Sequence, residues 1–299
     1  MKSFLAKVGR LLQGAGTPSA QQNSENMDAL LRQVRQWVSP QTIYLGDFTA
    51  LTRLRSGHKI YVDTRDTGIA SHLMMDGRWE HWVESALIPE LKPGMVFCDV
   101  GANFGYYTLL GAQAVTDTGK VYAVECNPRL HKLLRRSVMV NGLSDIVEIK
   151  QAAASNSRKR VTLTVDLEFS GGGTTLPVGD KSAWTREKFE VDAAPLDELV
   201  SPARPVNIMK IDVEGAEPLV IAGAQRILGH PDLKLIVTEF YAPAIAATIP
   251  PLEFLQQLEQ YGFSLQIITD SGVGPKKSPA ELIESIGARM TYIRAARSS

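Results

Sequence analysis

Cysteine is scarce in this chain: Cys98 and Cys126 are the two residues in 299. That is too few for a disulfide framework. Both fall in or beside stretches that read as parallel strands, so they are expected as buried thiols of a reducing compartment. Long apolar runs are missing, and nothing approaches the roughly 18 residues that span a bilayer. Neither sign of charge prevails, with 32 Lys+Arg against 32 Asp+Glu. The basic excess that marks a nucleic-acid-binding chain is therefore lacking. Histidine is thin and scattered, at five residues. Among these His81, in Trp79-Glu80-His81-Trp82, is expected at the surface or in the core. No Gly-x-Ser-x-Gly, phosphate-loop or His-Glu-x-x-His pattern occurs, which sets aside the hydrolases and nucleotidases that those motifs serve. The first twelve residues hold no continuous apolar stretch of a secretory signal. Phe4, Leu5, Val8, Leu11 and Leu12 share a helical face there. That face is expected to dock on its own domain, with contact to a membrane surface a weak alternative. A cytoplasmic protein is the expectation.

What is present begins with size: 44% hydrophobic residues are enough for one large core. Residues 13–26 are small and polar without period and read as a flexible linker. A helix is expected over 27–38, short strands over 42–62, and mostly helix over 67–91. Residues 1–92 thus read as an N-terminal, mostly helical extension, and residues 93–299 as the main domain. From Pro93 the pattern alternates strand and helix. Strands are expected at 95–100, 120–125, 147–152, 206–211 and 234–238, and an antiparallel pair at 263–268 and 290–294. Asn127 and Pro128 open one helix, and Asn141-Gly142 close it. Another is expected over 217–228. The result is an α/β fold, a doubly wound, mostly parallel seven-stranded sheet of Rossmann-like type. Stretches 160–165 and 188–191 alternate in period two. Between them a loop insertion over about 165–188 carries Ser170-Gly-Gly-Gly-Thr-Thr175, either a substrate loop or slack.

The informative stretch runs from Val96 to Thr108. An apolar run ends in Asp99, and a glycine turn, Gly101-Ala-Asn-Phe-Gly105, follows at once. Twenty residues after Gly105 a second apolar run ends in Glu125. A strand, a glycine turn, a helix and an acid-tipped strand make a plan for holding a nucleoside at a parallel sheet's carboxyl edge. The glycines free the backbone to approach it, and the second acid reaches a ribose diol. The spacing is not Gly-x-Gly-x-x-Gly, whose helix receives a pyrophosphate. This argues against a nicotinamide-dependent oxidoreductase. An acid before the turn suits a ligand with a cationic amino group, which points to S-adenosylmethionine and a methyltransferase.

Acids also end later strands: Asp212 with Glu214, and Glu239. Apolar strand ends do not carry acids without a task or a partner. Asp212 either caps the next helix or faces an acceptor, where a carboxylate takes the proton of a hydroxyl as a methyl group transfers. Asp212, Glu214 and Glu239 are the expected catalytic acids. Three carboxylates could instead hold a hard divalent ion. No histidine or further acid completes such a shell, so no metal is expected.

The segments Asp99-Val-Gly-Ala-Asn-Phe-Gly105, Lys210-Ile-Asp-Val-Glu-Gly-Ala-Glu217 and Ala194-Pro-Leu-Asp-Glu-Leu199 resemble the FkbM-type family of class I S-adenosylmethionine-dependent methyltransferases. The resemblance covers about residues 55–240, and Gly77-Arg-Trp-Glu80 fits the helix that precedes the fold in that family. It implies that Asp99, Gly101, Asn103 and Gly105 line the methionine end of the cofactor, that Glu125 takes the ribose hydroxyls and that Ala152 or Ala153 flanks the adenine. Glu80, Ala102 and Cys126 complete the expected set. The implied activity is O-methylation of a sugar, glycan or natural-product hydroxyl. A non-catalytic S-adenosylmethionine-binding partner protein is the rival.

Overall fold

The period-two residues ahead of the main domain form a small antiparallel sheet of β1 (Ile43–Tyr44), β2 (Thr49–Arg53) and β3 (Lys59–Asp63). This is a computed structural model, and it describes residue 27, residues 41–176 and residues 186–297. The expected helices at 1–12 and 27–38 (Met27 apart) and the linker at 13–26 lie outside the described residues. Helices Ile69–Met75 and His81–Leu87 follow β3, so the described part of the extension is as much strand as helix. Residues 40–299 form one compact unit. The described part of the extension thus belongs to the same compact unit as the main domain. The reason is packing: Ile60, Val62 and Leu73 share one buried core with Phe97, Leu109 and Leu134.

The chain then builds β4 (Val96–Val100), β5 (Lys120–Val124), β6 (Val147–Lys150), β7 (Ala153–Ser155), β8 (Lys159–Asp166), β9 (Arg186–Pro195), β10 (Ile208–Ile211), β11 (Leu235–Phe240), β12 (Ser264–Thr269), β13 (Gly272–Lys277) and β14 (Thr291–Ala296). The central sheet has the order β13-β12-β14-β11-β10-β4-β5-β6, with its first three strands antiparallel and the rest parallel. It has eight strands where seven are expected. The extra one is β13, a glycine- and lysine-bearing edge strand with no buried residue. Its lack of an apolar face is why the pattern gives no sign of it. β4, β10 and β11 are buried at every position, as strands covered on both faces must be.

Two expected elements break, for one reason. The strand expected over 147–152 stops at Lys150, and β7 joins β9 and β8 in a separate three-stranded sheet. The helix expected over 217–228 is two pieces, Glu217–Ala222 and Gln225–Gly229. At the break, a Cβ on Gly223 would lie 1.9 Å from the Ser155 carbonyl oxygen. Only a glycine lets β7 cross the helix so closely. The helix Pro128–Val140 opens as expected, with the Asn127 side chain accepting from the amides of Arg129 and Leu130. Among the described residues, no helix is long and apolar enough to cross a membrane.

Candidate active site

Strand order reverses at β4. The chain winds outward to β5 and β6 on one side, then returns to β10 and β11 on the other. A crevice opens beyond the carboxyl ends of strands at such a switch point. A cavity of about 420 Å³ lies here, within the range that small ligands and cofactors occupy. Its wall includes Gly101, Ala102, Asn103, Glu125, Cys126 and Ala153. On the side of β10 and β11 it includes Glu80, Asp212, Glu214 and Glu239. Asp99 and Gly105 are not on the wall. His81, the other singled-out residue, is exposed.

The glycines also answer a packing need that the sequence does not show. Gly101 sits at φ +78°, and a Cβ there would meet the Asp212 carbonyl oxygen at 1.8 Å. Gly105, at φ +96°, would meet Leu134 Cδ1 at 2.4 Å. Both serve packing of backbone on protein: the turn after β4 lies against the turn after β10. Asn103 also holds positive φ, at 52°, a conformation that asparagine tolerates better than most residues.

Glu125 closes this turn from the end of β5. Its Oε2 accepts the Asn103 amide at 2.7 Å and its Oε1 the Asn127 amide at 2.8 Å. Burial pushes its pKa up to about 7, although both amides pull it down. Asn103 in turn meets the Ser170 hydroxyl, at 3.2 Å from Nδ2, and the Ser170 amide donates to Asp66 Oδ2 at 2.8 Å. The glycine-rich segment is thereby pinned: Ser170–Gly172 forms a short 3-10 turn. Asp66, 2% exposed, also accepts the Ala70 amide.

Asp99 lies beneath the cavity floor. It is fully buried, its Oδ2 accepts the Thr108 hydroxyl at 2.6 Å, and its Oδ1 has no partner among the described residues. Burial raises its pKa, opposed by Lys210. The register of β4 and β10 pairs Asp99 with Lys210 directly. Lys210 is 2% exposed. Its Nζ donates to Asp212 Oδ2 at 2.8 Å and stands 4.9 Å from the centre of the Tyr107 ring. Burial works against its charge, but Asp212 and Asp99 outweigh that and its pKa ends raised.

Asp212 does not cap the following helix, whose start has no side-chain cap. Its Oδ2 takes Lys210 and the Tyr292 hydroxyl, the latter at 2.9 Å. Tyr292 also stands 3.0 Å from both carboxylate oxygens of Glu80. One hydroxyl hydrogen is thus shared between the Glu80 and Asp212 carboxyls. Burial and then Asp212 push Glu80 up to about 7. Glu214 occupies a left-handed turn at φ +55°. Burial and then Asp212 push it to about 9. Glu239 is 6% exposed and is pushed to about 11, by burial first and then by Asp212. Carboxylate oxygens of Asp212, Glu214 and Glu239 all lie within 4.8 Å of one another.

Lys210, Tyr107, Tyr292 and Asp66 are not among the residues expected from the sequence. Lys210 does leave a signal: a lysine inside an otherwise apolar strand needs buried acids around it. Tyr292 leaves none, because its strand is antiparallel and arrives from the far end of the chain.

The residues fit a sulfonium nucleoside better than a dinucleotide. The site offers a carboxylate beside a polar turn and further carboxylates opposite, and such groups repel phosphates. A family model described as "Methyltransferase FkbM domain" matches residues 99–265. A protein-L-isoaspartate O-methyltransferase of Aeropyrum pernix is 41% identical over 58 residues, 19% of this chain and 22% of that protein. A probable cobalt-precorrin-6B C(15)-methyltransferase (decarboxylating) of Sulfolobus acidocaldarius is 27% identical over 141 residues, 46% of this chain and 73% of that one. The chain thus spans about a fifth of the first relative's length. The crystal structure of a methyltransferase FkbM from Methylobacillus flagellatus matches at 14% identity and a TM-score of 0.42, over 68% of this chain and 43% of that one.

Proposed function

Because this chain belongs to the FkbM methyltransferase family, whose cofactor is S-adenosylmethionine, we propose that it methylates a hydroxyl of a sugar, glycan or natural product. The observation that carries the reading is the cavity at the switch point, with Glu125 on one side and Asp212, Glu214 and Glu239 on the other. Gly101, Ala102 and Asn103 would hold the cofactor's amino-acid end through their backbone, Glu125 its ribose, and Cys126 and Ala153 its base. When bound, the cofactor supplies a methyl group on a positively charged sulfur. The chain then has to align the acceptor and exclude water, and an acid beside the acceptor takes the hydroxyl proton. Asp212 is the favoured base. Its Oδ2 is fixed by two donors, and its Oδ1 has no hydrogen-bond partner among the described residues. Asp99 and Gly105 would act from below the site, through the turn they support.

In this reading residues 93–297 carry the chemistry, while residues 41–92 and residues 165–176 of the insertion shape the acceptor's entry. The balanced charge supports a small-molecule or glycan acceptor over a nucleic acid. Free Cys98 and Cys126 support a reducing, cytoplasmic setting.

Thermal shift of the full chain with S-adenosylhomocysteine and with NAD tests the cofactor, since a ligand of the folded state raises its melting temperature. A shift with NAD alone would overturn the proposal. Transfer of labelled methyl groups to a panel of sugar and natural-product alcohols tests the acceptor. Tight cofactor binding with no transfer anywhere on the panel would favour the non-catalytic binding protein.

A further inference from the structure

Two acids on the cavity wall, Glu214 and Glu239, have no hydrogen-bond donor to their carboxylates among the described residues, and Glu239 is the more deeply buried. Asp212 has Lys210 and Tyr292, Glu80 has Tyr292, Glu125 has two backbone amides and Asp99 has Thr108. Glu239 is 94% buried, faces the cavity, and its carboxylate accepts no hydrogen bond among the described residues. A buried carboxylate without a donor is costly unless it takes a proton or meets a cation. Lys210, the nearby ammonium, donates to Asp212 and makes no hydrogen bond to Glu239.

We infer that Asp212, Glu214 and Glu239 form a site for a hard divalent cation, Mg²⁺ or Mn²⁺, on the acceptor side of the cavity. The geometry is close to what such an ion needs. Oxygens in an octahedral Mg²⁺ shell stand about 3 to 4 Å apart. The three carboxylates already offer oxygens within 4.8 Å of one another, so side-chain shifts of about 1 Å close the set. All the donors are oxygens, which selects Mg²⁺ or Mn²⁺ over zinc or copper. Protein ligands from two adjacent strand ends leave the rest of the shell to water and substrate, the usual arrangement for Mg²⁺.

The inference rests on the methyl-transfer reading for its purpose. A cation here would hold an acceptor hydroxyl and ease loss of its proton to a free carboxylate oxygen. The acceptor class narrows accordingly to compounds that present two neighbouring oxygens to one ion, such as a sugar diol or an α-hydroxy carbonyl.

Binding is measured without turnover, by Mn²⁺ electron paramagnetic resonance and by the rise in melting temperature that Mg²⁺ causes in the full chain. The wild-type protein is expected to bind Mn²⁺. Glu239→Gln and Asp212→Asn each weaken that binding about ten-fold or more, while S-adenosylhomocysteine affinity stays within about two-fold. Glu239→Gln removes a buried acid without a donor, so it folds and melts higher than wild type in the absence of metal. No Mn²⁺ binding at about 10 mM, or equal binding by wild type and Glu239→Gln, would overturn the site. Loss of metal binding in the wild type with normal S-adenosylhomocysteine binding removes the cation and leaves the methyltransferase. The reverse pattern removes the methyltransferase and leaves the cation.

Discussion

The Tyr292 hydroxyl lies 2.9 Å from Asp212 Oδ2, which ties the last strand of the sheet to the turn after β10. The two residues are 80 positions apart in sequence. With Lys210 on the same oxygen, the Asp212 carboxylate has one fixed and one open side.

Asp212→Asn is expected to lower turnover about 100-fold or more, the scale of a lost general base, with cofactor affinity within about two-fold. Steady-state kinetics and calorimetry separate the two. Equal loss of both would move Asp212 into the cofactor's shell. Tyr292→Phe removes a donor to an ionised group and costs about 1 to 3 kcal/mol of stability. Its kcat falls with little change in S-adenosylhomocysteine affinity.

Glu125→Ala is expected to weaken S-adenosylhomocysteine binding about ten-fold or more, since hydrogen bonds to a charged group contribute about 1.5 to 3 kcal/mol. Circular dichroism should show a folded protein. Unchanged affinity by calorimetry would refute the ribose role.

The pKa of Glu125 stands at about 7 in the folded chain, against an ordinary value of 4.5. The folded state therefore holds this proton more tightly than the unfolded state. Its contribution to stability is fully present below pH 4.5 and is lost as pH rises through about 7. The melting temperature of the ligand-free protein should fall across that window, and Glu125→Gln should flatten the fall. An equal slope in the variant would show that other groups carry it.

Gly101→Ala combines positive φ with a Cβ 1.8 Å from the Asp212 carbonyl oxygen. It is expected to cost about 3 kcal/mol or more in urea melts, from left-handed strain plus overpacking. Gly142 has φ +69° but open space around its Cβ. Gly142→Ala should cost only about 1 kcal/mol. Similar losses at both would show that strain alone, without the close approach, accounts for Gly101.

The strand order's parallel half was legible because β4, β5, β10 and β11 are short apolar runs punctuated by glycine, asparagine and proline. Their acid tips could be read as a row because parallel strands present the same end to one edge. The antiparallel edge strand β13 was not legible, since an exposed strand needs no apolar face. Nor was the break of the 217–228 helix, which depends on how near Ser155 comes to Gly223.

The sequence by itself determined the family, the alternation of strand and helix, and which acids stand at strand ends, because these are local properties of spacing and hydrophobic period. Only the tertiary structure decided what each acid does. It sank Asp99 beneath the floor against Lys210, gave Asp212 a tyrosine from the chain's far end, and left Glu239 buried without a donor. Charge is written in the residue, but its partner and its solvation are set by distance, and distance across a sheet is fixed only when the strands have found their order.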